Sequence, residues 1–594
     1  MDEKVIQKFY GLQTNTHERD VADEALTSGL NFLCKGSTVY RRDGYQNIGT
    51  LNGRVMWVGT FDRLVDDDKL LVAFTPTDGY VMNTSGTFEF ITRIYTTGTA
   101  QCSGGTTVTG TDTSWDYENY PDDSWYIKFG TTDPNGTGTP DTWYKIASWT
   151  SATALELDED GPSMGSADDY VIRRCFTGAT SDIFSVTFPV NSSAWTNALV
   201  VTNGVDPVMS YTGDTDEYLE AISYLETNSI TAKYVTFYGE QLILAHLNDA
   251  GTIHEQGIMY SKAGDMTTWD EGAAGSEDLF GTQDQIMGIY SLADRLIVYK
   301  KYSITSGVST GDDTLPFSFS QGAVRDIGLA APRAIVSMNR QHYFLGWDNV
   351  YMYDGIRCQE VGDIIKDGIF DALNSEYIHY CFMGIVGDER AIALHIPTGD
   401  SSTIDKVYVV YDNKWNEWEY ADSMTALGRY WETSAETFAS LDESILYSTV
   451  SGRYVDWISI SERYDAVYGD EDGEIYVYGT STIDDDTDID AYIITKDFSF
   501  YGFGKSFGLN RVGLGLEGEN SASVKVYVST DHGATWSTPI TLDKGTGEVY
   551  VQRTAQFMES AGYAMIKVAN VSGDDLGVEH MRFEYYPDGT SEWQ

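Results

Sequence analysis

The chain has 594 residues, and its 38 Lys and Arg against 90 Asp and Glu give a formal net charge of −52. Aromatic residues make up 13% and glycine supplies 58 positions, which excludes an acidic disordered chain and a coiled coil. The charge also excludes a surface for nucleic acid or anionic membranes, because both need clustered Lys and Arg. The composition therefore indicates a folded, β-rich, acidic protein.

The first 30 residues are polar and are predicted to form an N-terminal arm with a short helix over residues 20–30. The opening, MDEKVIQKFY, lacks the apolar core of a signal peptide, and no apolar run reaches membrane-spanning length. We therefore expect a protein made in a reducing cytoplasm that does not insert into a membrane. The cysteines never form a Cys-x-x-Cys pair, which predicts neither a disulfide framework nor a zinc site. They are Cys34, Cys102, Cys175, Cys358 and Cys381.

From residue 31 onward, short runs of alternating apolar and polar residues predict antiparallel strands. Examples are residues 241–246, Arg295–Lys300, Lys406–Tyr411 and residues 474–478. Strand clusters recur at intervals close to the roughly 40–50 residues, with about four strands, that are typical of propeller blades. Residues 31–95 and 175–490 are therefore predicted to form a β-propeller, and a series of independent β-sandwich hairpins is the alternative. The clusters cover residues 234–269, 289–304, 334–355, 380–418 and 466–478.

Two regions break this rhythm. Residues 96–174, rich in Thr, Gly, Ser and Trp, predict a small β-barrel inserted into the propeller, and such insertions often carry docking functions. Residues 491–594 predict a C-terminal β-sandwich. The predicted fold class is thus all-β: a β-propeller with an inserted small β-barrel and a C-terminal β-sandwich. The candidate docking residues of the insert are Trp115, Trp125, Trp143 and Trp149.

The sharpest motif is an Asp box of the form S-x-D-x-G-x-x-W, made by Ser529, Asp531, Gly533 and Trp536. Its predicted role is structural: Asp531 caps the turn, Gly533 takes a positive φ and Trp536 packs beneath. A sialidase would carry several such boxes, three clustered arginines and a Tyr nucleophile with a Glu.

No other sequence pattern indicates a catalytic, metal-binding or cofactor-binding residue. Acidic runs such as residues 66–68 and 484–486 are interpreted as solvated loops, with calcium binding as the alternative. The histidines lack metal-ligand spacing, and no Gly-x-Ser-x-Gly elbow or phosphate loop is present. The sequence therefore predicts no catalytic residue, no metal, no cofactor and no enzymatic activity.

Four phrases along the chain are distinctive: NFLCKGSTVYRRDGY at residues 31–45, YSKAGDMTTW at 260–269, APRAIVSMNRQHYFLGWDNVYMYDG at 331–355 and WNEWEY at 415–420. They resemble phrases in tail proteins of double-stranded DNA bacteriophages. The insert resembles small barrels of the same proteins. In order and spacing these phrases are similar to the tail nozzle, or tail tubular protein B, of short-tailed phages.

This resemblance implies a hexameric ring that forms an acidic conduit for genome ejection and a docking platform for fibres or spikes. The implied partners are other copies of the chain, a tail adaptor or head-completion protein, and tail fibre, spike or needle proteins. DNA would pass through the lumen without specific binding. The implied location is the virion tail, after assembly in the host bacterial cytoplasm. The alternative is a glycan-binding or glycan-degrading tail protein with a sialidase-like propeller, in which the Asp box and the tryptophans of the insert contact sugars.

Overall fold

A computed structural model describes residues 2–588 except 67, 93, 116–124, 133–136, 175, 177–184, 192–194, 215–217, 387–390, 433–462, 503–504, 518–522, 546–549, 572–573 and 575–576. These residues form antiparallel sheets with two short helices, Ser223–Thr227 and Lys366–Phe370, and a 3-10 turn at Ser375–Tyr380. No helix in this part of the chain has the length and apolar character needed to cross a membrane. The predicted fold class is confirmed: a β-propeller with an inserted small barrel and a C-terminal sandwich.

The chain divides into two compact units. The sandwich unit comprises Met1–Ile48, Val324–Tyr468 and Tyr476–Gln594, and the barrel unit comprises Gly49–Ala323 and Gly469–Ile475.

Seven four-stranded antiparallel sheets of the propeller-blade type are present among the described residues. The barrel unit holds blades 1 to 3 and nearly all of blade 4, and the sandwich unit holds blades 5 and 6 and most of blade 7. Blade 1 contains Trp57–Asp62, Lys69–Phe74, Gly79–Met82 and Phe88–Phe90; blade 2 contains Ser185–Thr187, Leu199–Thr202, Met209–Tyr211 and Glu220–Ala221. Blade 3 contains Ile230–Tyr238, Gln241–Asp249, Thr252–Tyr260 and Gly275–Asp278; blade 4 contains Ile286–Leu292, Arg295–Lys300, Ser303–Ser309 and Phe317–Arg325. Blade 5 contains Ile335–Met338, Gln341–Leu345, Val350–Tyr353 and Cys358–Glu360; blade 6 contains Phe382–Val386, Ala391–Ile396, Lys406–Tyr411 and Lys414–Trp418. Blade 7 joins Met424–Glu432, Arg463–Asp470 and Glu474–Ser481 to the early strand Gly44–Thr50.

The burial of each blade strand follows its place in the sheet. The inner strand Gln241–Asp249 is buried on both faces for its first seven residues, which are apolar except for Gln241 and His246. In the outer strand Phe317–Arg325, every residue after the buried Phe317 is exposed or partly buried, as expected for a half-solvated edge strand. Two-residue turns join several neighbouring strands, and both turn residues at 239–240, 250–251, 339–340 and 412–413 have positive φ. That geometry matches the right-handed twist of a hairpin.

The insert is a barrel with its own core. Its seven strands form one sheet, and paired backbone hydrogen bonds of 2.9 and 3.0 Å between Ala100 and Asp168 close it. Its apolar interior is separate from the interiors of the blades. The strands are Ile94–Tyr95, Thr99–Cys102, Thr107–Thr111, Trp125–Phe129, Tyr144–Ser151, Ala154–Leu157 and Tyr170–Arg174.

The sandwich draws on both ends of the chain. One sheet contains Asp2–Ile6, Phe32–Lys35, Thr38–Arg41, Phe507–Glu517, Tyr550–Ala561 and Gly577–Pro587. The facing sheet contains Leu26–Leu30, Tyr492–Thr495, Ser523–Ser529, Ile540–Asp543 and Met565–Asn570.

The N-terminal segment therefore differs from the predicted arm. The strand Asp2–Ile6 pairs with Gly577–Pro587, and Leu26–Leu30, predicted to be helical, pairs with Tyr492–Thr495. Residues 32–41, assigned to the propeller from the sequence, also pair within the sandwich. In Leu26–Leu30, pairing with a strand more than 450 residues away in the sequence overrides the local propensity for a helix.

Candidate functional site

The barrel unit contains a cavity of about 380 Å³ bordered by loops and turns of blades 1, 2 and 3. We call it the Arg63 cavity. Its polar lining consists of Arg63, Asn191, Thr196, Asn197, Thr212, Asp214, Glu240, Asp265 and Thr267. Its apolar lining includes Val65, Pro189, Val190, Phe237, Leu242 and Met266.

Arg63 follows the first strand of blade 1, and its side chain is only 9% exposed. Its guanidinium lies 2.8 Å from the Asp66 carboxylate and also pairs with Asp214. Gly213, with φ +88°, permits this pairing: a Cβ there would lie 2.6 Å from Arg63 Cδ. The cation is therefore already neutralised by two carboxylates.

A short hairpin, Val190–Asn191 paired with Thr196–Asn197, forms one wall of the cavity. The Asn197 side chain accepts a 2.9 Å hydrogen bond from Leu64 N and donates a 2.6 Å hydrogen bond to Asp62 O. These bonds fix the hairpin to the Arg63 loop of blade 1. We call it the cavity hairpin.

The cavity hairpin carries Trp195, which is 75% exposed. Its backbone has φ 54°, in the left-handed region that large side chains rarely adopt. Thr196 and Asn197, which follow immediately, line the cavity. The exposed indole therefore belongs to the residue that immediately precedes two lining residues of the cavity.

The remaining acidic groups come from turns of blade 3. Asp265 accepts hydrogen bonds from Thr267 N at 2.9 Å and from Thr267 Oγ1 at 2.6 Å, and one from Thr268 Oγ1 at 2.7 Å. These bonds lower the pKa of the Asp265 carboxyl and keep it ionised. Glu240 lies in the exposed turn between two strands, at φ 63°, and no described residue hydrogen-bonds or ion-pairs with its carboxylate.

The tryptophans proposed for docking lie elsewhere. Trp115, Trp125 and Trp149 are 1%, 1% and 9% exposed and fill the barrel core. Trp115 Nε1 donates a 3.0 Å hydrogen bond to the Tyr170 hydroxyl. Trp143 is half-buried, with the Arg173 guanidinium 3.9 Å from its ring centre. The three core indoles are therefore unavailable to a sugar, and a docking role of the barrel as a whole stays a prediction.

The Asp box forms a tight turn after the sandwich strand Ser523–Ser529. Asp531 accepts hydrogen bonds from Thr535 N at 2.9 Å and from the Ser529 hydroxyl at 2.7 Å. These contacts, led by those from Thr535, lower its pKa from 3.8 to about 2. Gly533 has φ 81°, and the Trp536 ring lies 3.8 Å from where a Cβ on that glycine would stand. The carboxylate is thus occupied by the turn itself.

Sequence reasoning did not identify the Arg63 cavity. Its acidic residues are separated by 25 or more positions, and no motif links them. The one available signal was YSKAGDMTTW, which contributes Asp265, Met266 and Thr267 to the wall. No three His, Cys, Asp or Glu side chains of the described residues converge in the manner of a metal site.

No family model and no curated protein matches the chain. Similar solved structures include an exo-β-1,3-galactanase from Phanerochaete chrysosporium, at 8% identity and a TM-score of 0.19, covering 59% of this chain and 95% of that one. They include a glycoside hydrolase family 43 arabinoxylan arabinofuranohydrolase from Bacillus subtilis, at 9% identity and a TM-score of 0.23, covering 91% and 99%. They also include PorZ, a surface component of the type-IX secretion system of Porphyromonas gingivalis, at 12% identity and a TM-score of 0.25, covering 76% of this chain and 46% of PorZ.

These comparisons contradict the main functional prediction. The similar structures include glycoside hydrolases, which favours the glycan-degrading alternative over a tail nozzle. The predictions of a genome conduit and of a protein without enzymatic activity are therefore wrong. At these identities and TM-scores the likeness concerns the fold and transfers no activity, so glycan recognition by this chain rests on the geometry of the cavity.

Proposed function

We propose that this chain recognises a glycan and that the Arg63 cavity is its saccharide site. The observation that carries the proposal is the exposed Trp195 on the hairpin whose strands line the cavity. An indole and a sugar are complementary because one face of a pyranose ring presents C–H groups to the aromatic surface. The hydroxyls of the same ring form hydrogen bonds with polar groups.

The position of Trp195 has a cost. The left-handed conformation is unfavourable by about 1–2 kcal/mol for a residue with a Cβ. Exposing so large an apolar side chain gains no burial energy in the free protein. Backbone strain of this kind concentrates at binding sites, where a ligand repays it. A stacked sugar ring supplies the missing contact.

The cavity supplies the polar half of the recognition. Carboxylates of Asp214, Glu240 and Asp265 accept hydrogen bonds from sugar hydroxyls, and charge-assisted bonds of this kind are stronger than neutral ones. Phe237, Leu242 and Met266 provide apolar surface in the same cavity. Polar groups in fixed positions orient a small ligand, and apolar surface beside them buries it.

Hydrolysis of the bound glycan is a second candidate function. A glycosidase needs two carboxyl groups flanking the scissile bond, and three line this cavity. Glu240 is the acid that the described residues leave unpaired, whereas Asp214 pairs with Arg63 and Asp265 is held by threonines. Glu240 is thus the group best placed to exchange a proton with a substrate oxygen.

The resemblance to phage tail proteins supports a location for this activity. A glycan-recognising protein on a virion tail would contact the carbohydrate surface of a host cell. Location on the virion, self-association and contacts with other tail proteins stay predictions, and labelling this chain in intact particles tests the first of them.

Binding to an oligosaccharide array, followed by calorimetry on the best ligand, tests the proposal. Trp195→Ala should weaken binding at least about tenfold, or about 1.4 kcal/mol, because the stacking surface is lost. Phe280→Ala is the matched control, since Phe280 is 70% exposed in the same unit and neither it nor its neighbours in the chain line the cavity. Binding equal to the parent in Trp195→Ala, or no binding by the parent to any glycan, would overturn the proposal.

Hydrolysis is tested by reducing-sugar release from the glycans that bind. Glu240→Gln should abolish release while leaving binding within a few-fold of the parent, because the amide keeps the shape and loses the proton transfer. Absence of release by the parent removes the second candidate and leaves recognition standing.

A further inference from the structure

The charge of the Arg63 cavity bears on which glycans it accepts, an inference that rests on the proposed function. Arg63 is the one cationic side chain among the described residues that line it. Three carboxylates share the same lining, from Asp214, Glu240 and Asp265. The lining therefore has a negative balance before any ligand enters.

Arg63 is not available to offset an anionic ligand. Its side chain is 9% exposed, and its guanidinium already pairs with Asp66 and Asp214. A sugar carboxylate would have to displace one of these partners, and would then leave that aspartate unpaired next to it. Recognition of a sugar carboxylate normally uses a free arginine fork.

The other two carboxylates of the lining, those of Asp265 and Glu240, also repel an anion. Asp265 is fixed by the hydrogen bonds of Thr267 and Thr268, so it cannot swing away. Glu240 is exposed and forms no ion pair with a described residue. Like charges that meet at a binding surface lower the affinity for the wrong ligand more than they raise the affinity for the right one.

We propose that the Arg63 cavity selects uncharged saccharides and rejects saccharides that carry a carboxylate. Neutral hydroxyls donate to the three carboxylates, whereas an acidic sugar brings a fourth negative charge into the same cavity. The substrate class is therefore a neutral hexose chain, and sialylated or uronate-containing chains are excluded.

Two panels of pentasaccharides matched in ring configuration test this inference. The neutral panel is built from glucose, galactose or mannose, and the acidic panel from glucuronate, galacturonate or mannuronate. For each pair we expect the neutral member to bind at least about tenfold more tightly at low salt. The ratio should shrink as the Debye length falls from about 30 Å at 0.01 M to about 10 Å at 0.1 M salt.

A variant shows whether the carboxylates cause the selectivity. Glu240→Gln removes one charge from an exposed turn and should lower the ratio several-fold. Asp112→Asn removes the same charge from an exposed turn of the barrel and should leave the ratio unchanged. A ratio that stays the same in Glu240→Gln overturns the inference.

The outcomes separate this inference from the proposed function. Tighter binding of the acidic panel overturns the selectivity and leaves glycan recognition standing. Failure of the full-length protein to bind either panel overturns both.

Discussion

Arg42 joins three segments of the sandwich unit through one buried guanidinium. Its side chain is 1% exposed and makes hydrogen bonds of 2.7 and 2.5 Å to the two Asp484 oxygens. Further bonds reach Asn31 Oδ1 at 2.8 Å and Glu419 O at 2.6 Å. The acidic run at 484–486, interpreted from the sequence as a solvated loop, thus begins with a buried and paired carboxylate.

Arg42→Met should destabilise the sandwich unit by about 3–5 kcal/mol, because it leaves the Asp484 charge buried and uncompensated. Arg42→Lys should also destabilise it, since an ammonium cannot reproduce the planar fork. Urea unfolding followed by fluorescence measures both effects.

Arg511→Met is the control for this prediction. Arg511 pairs with Glu584 at 3.6 Å in the same unit, but its side chain is 47% exposed. A surface pair of this kind contributes about 0–1 kcal/mol. If Arg42→Met and Arg511→Met lowered the free energy of unfolding equally, the buried Arg42–Asp484 pair would contribute no more than an exposed pair, which would contradict the prediction.

Among the elements, the barrel combines a separate core with a buried ion pair to blade 1. Arg173 NH1, on the last barrel strand, lies 3.1 Å from Asp78 Oδ1, and the two side chains are 5% and 0% exposed. Asp78 lies in the turn between Lys69–Phe74 and Gly79–Met82. The barrel therefore supplies the charge partner of a blade residue.

Replacing residues 94–174 by a short Gly/Ser linker should leave the blades folded but less stable, because Asp78 loses Arg173. Adding Asp78→Asn to the deletion should recover part of the stability, since it removes a buried charge that has lost the Arg173 guanidinium. Circular dichroism and thermal unfolding of the two proteins measure this. Unfolding of both deletion proteins would show that the barrel and the blades depend on each other beyond this ion pair.

At the scale of the whole molecule, the net charge of −52 acts on stability as well as on ligands. Self-repulsion destabilises a compact state, and salt screens it. Thermal unfolding midpoints should therefore rise between about 0.01 M and about 0.1 M sodium chloride, as the Debye length falls from about 30 to about 10 Å. A midpoint that stays constant or falls over this range would contradict the prediction.

Local patterns were sufficient for the strands and the fold class. Alternation of apolar and polar residues predicted Arg295–Lys300 and Lys406–Tyr411 with the bounds that the structure shows. The recurrence of strand clusters predicted the blades, because a four-stranded sheet repeats over a fixed length of chain. The Thr-, Gly- and Trp-rich composition of residues 96–174 distinguished the barrel from the blades. Periodicity is a property of neighbouring residues, so the sequence alone determines it.

Tertiary structure decided the pairing of the chain ends and the location of the cavity. The strand Asp2–Ile6 joins the C-terminal sandwich because Gly577–Pro587 offers it a backbone edge, which no pattern near residue 2 encodes. Arg63, Asp214, Glu240 and Asp265 meet because loops of three blades converge. The exposure of Trp195 and the burial of Trp115 likewise depend on packing, since the same side chain serves a core or a surface according to what surrounds it. Contacts between residues distant in sequence, and the burial they create, are set by the folded chain as a whole.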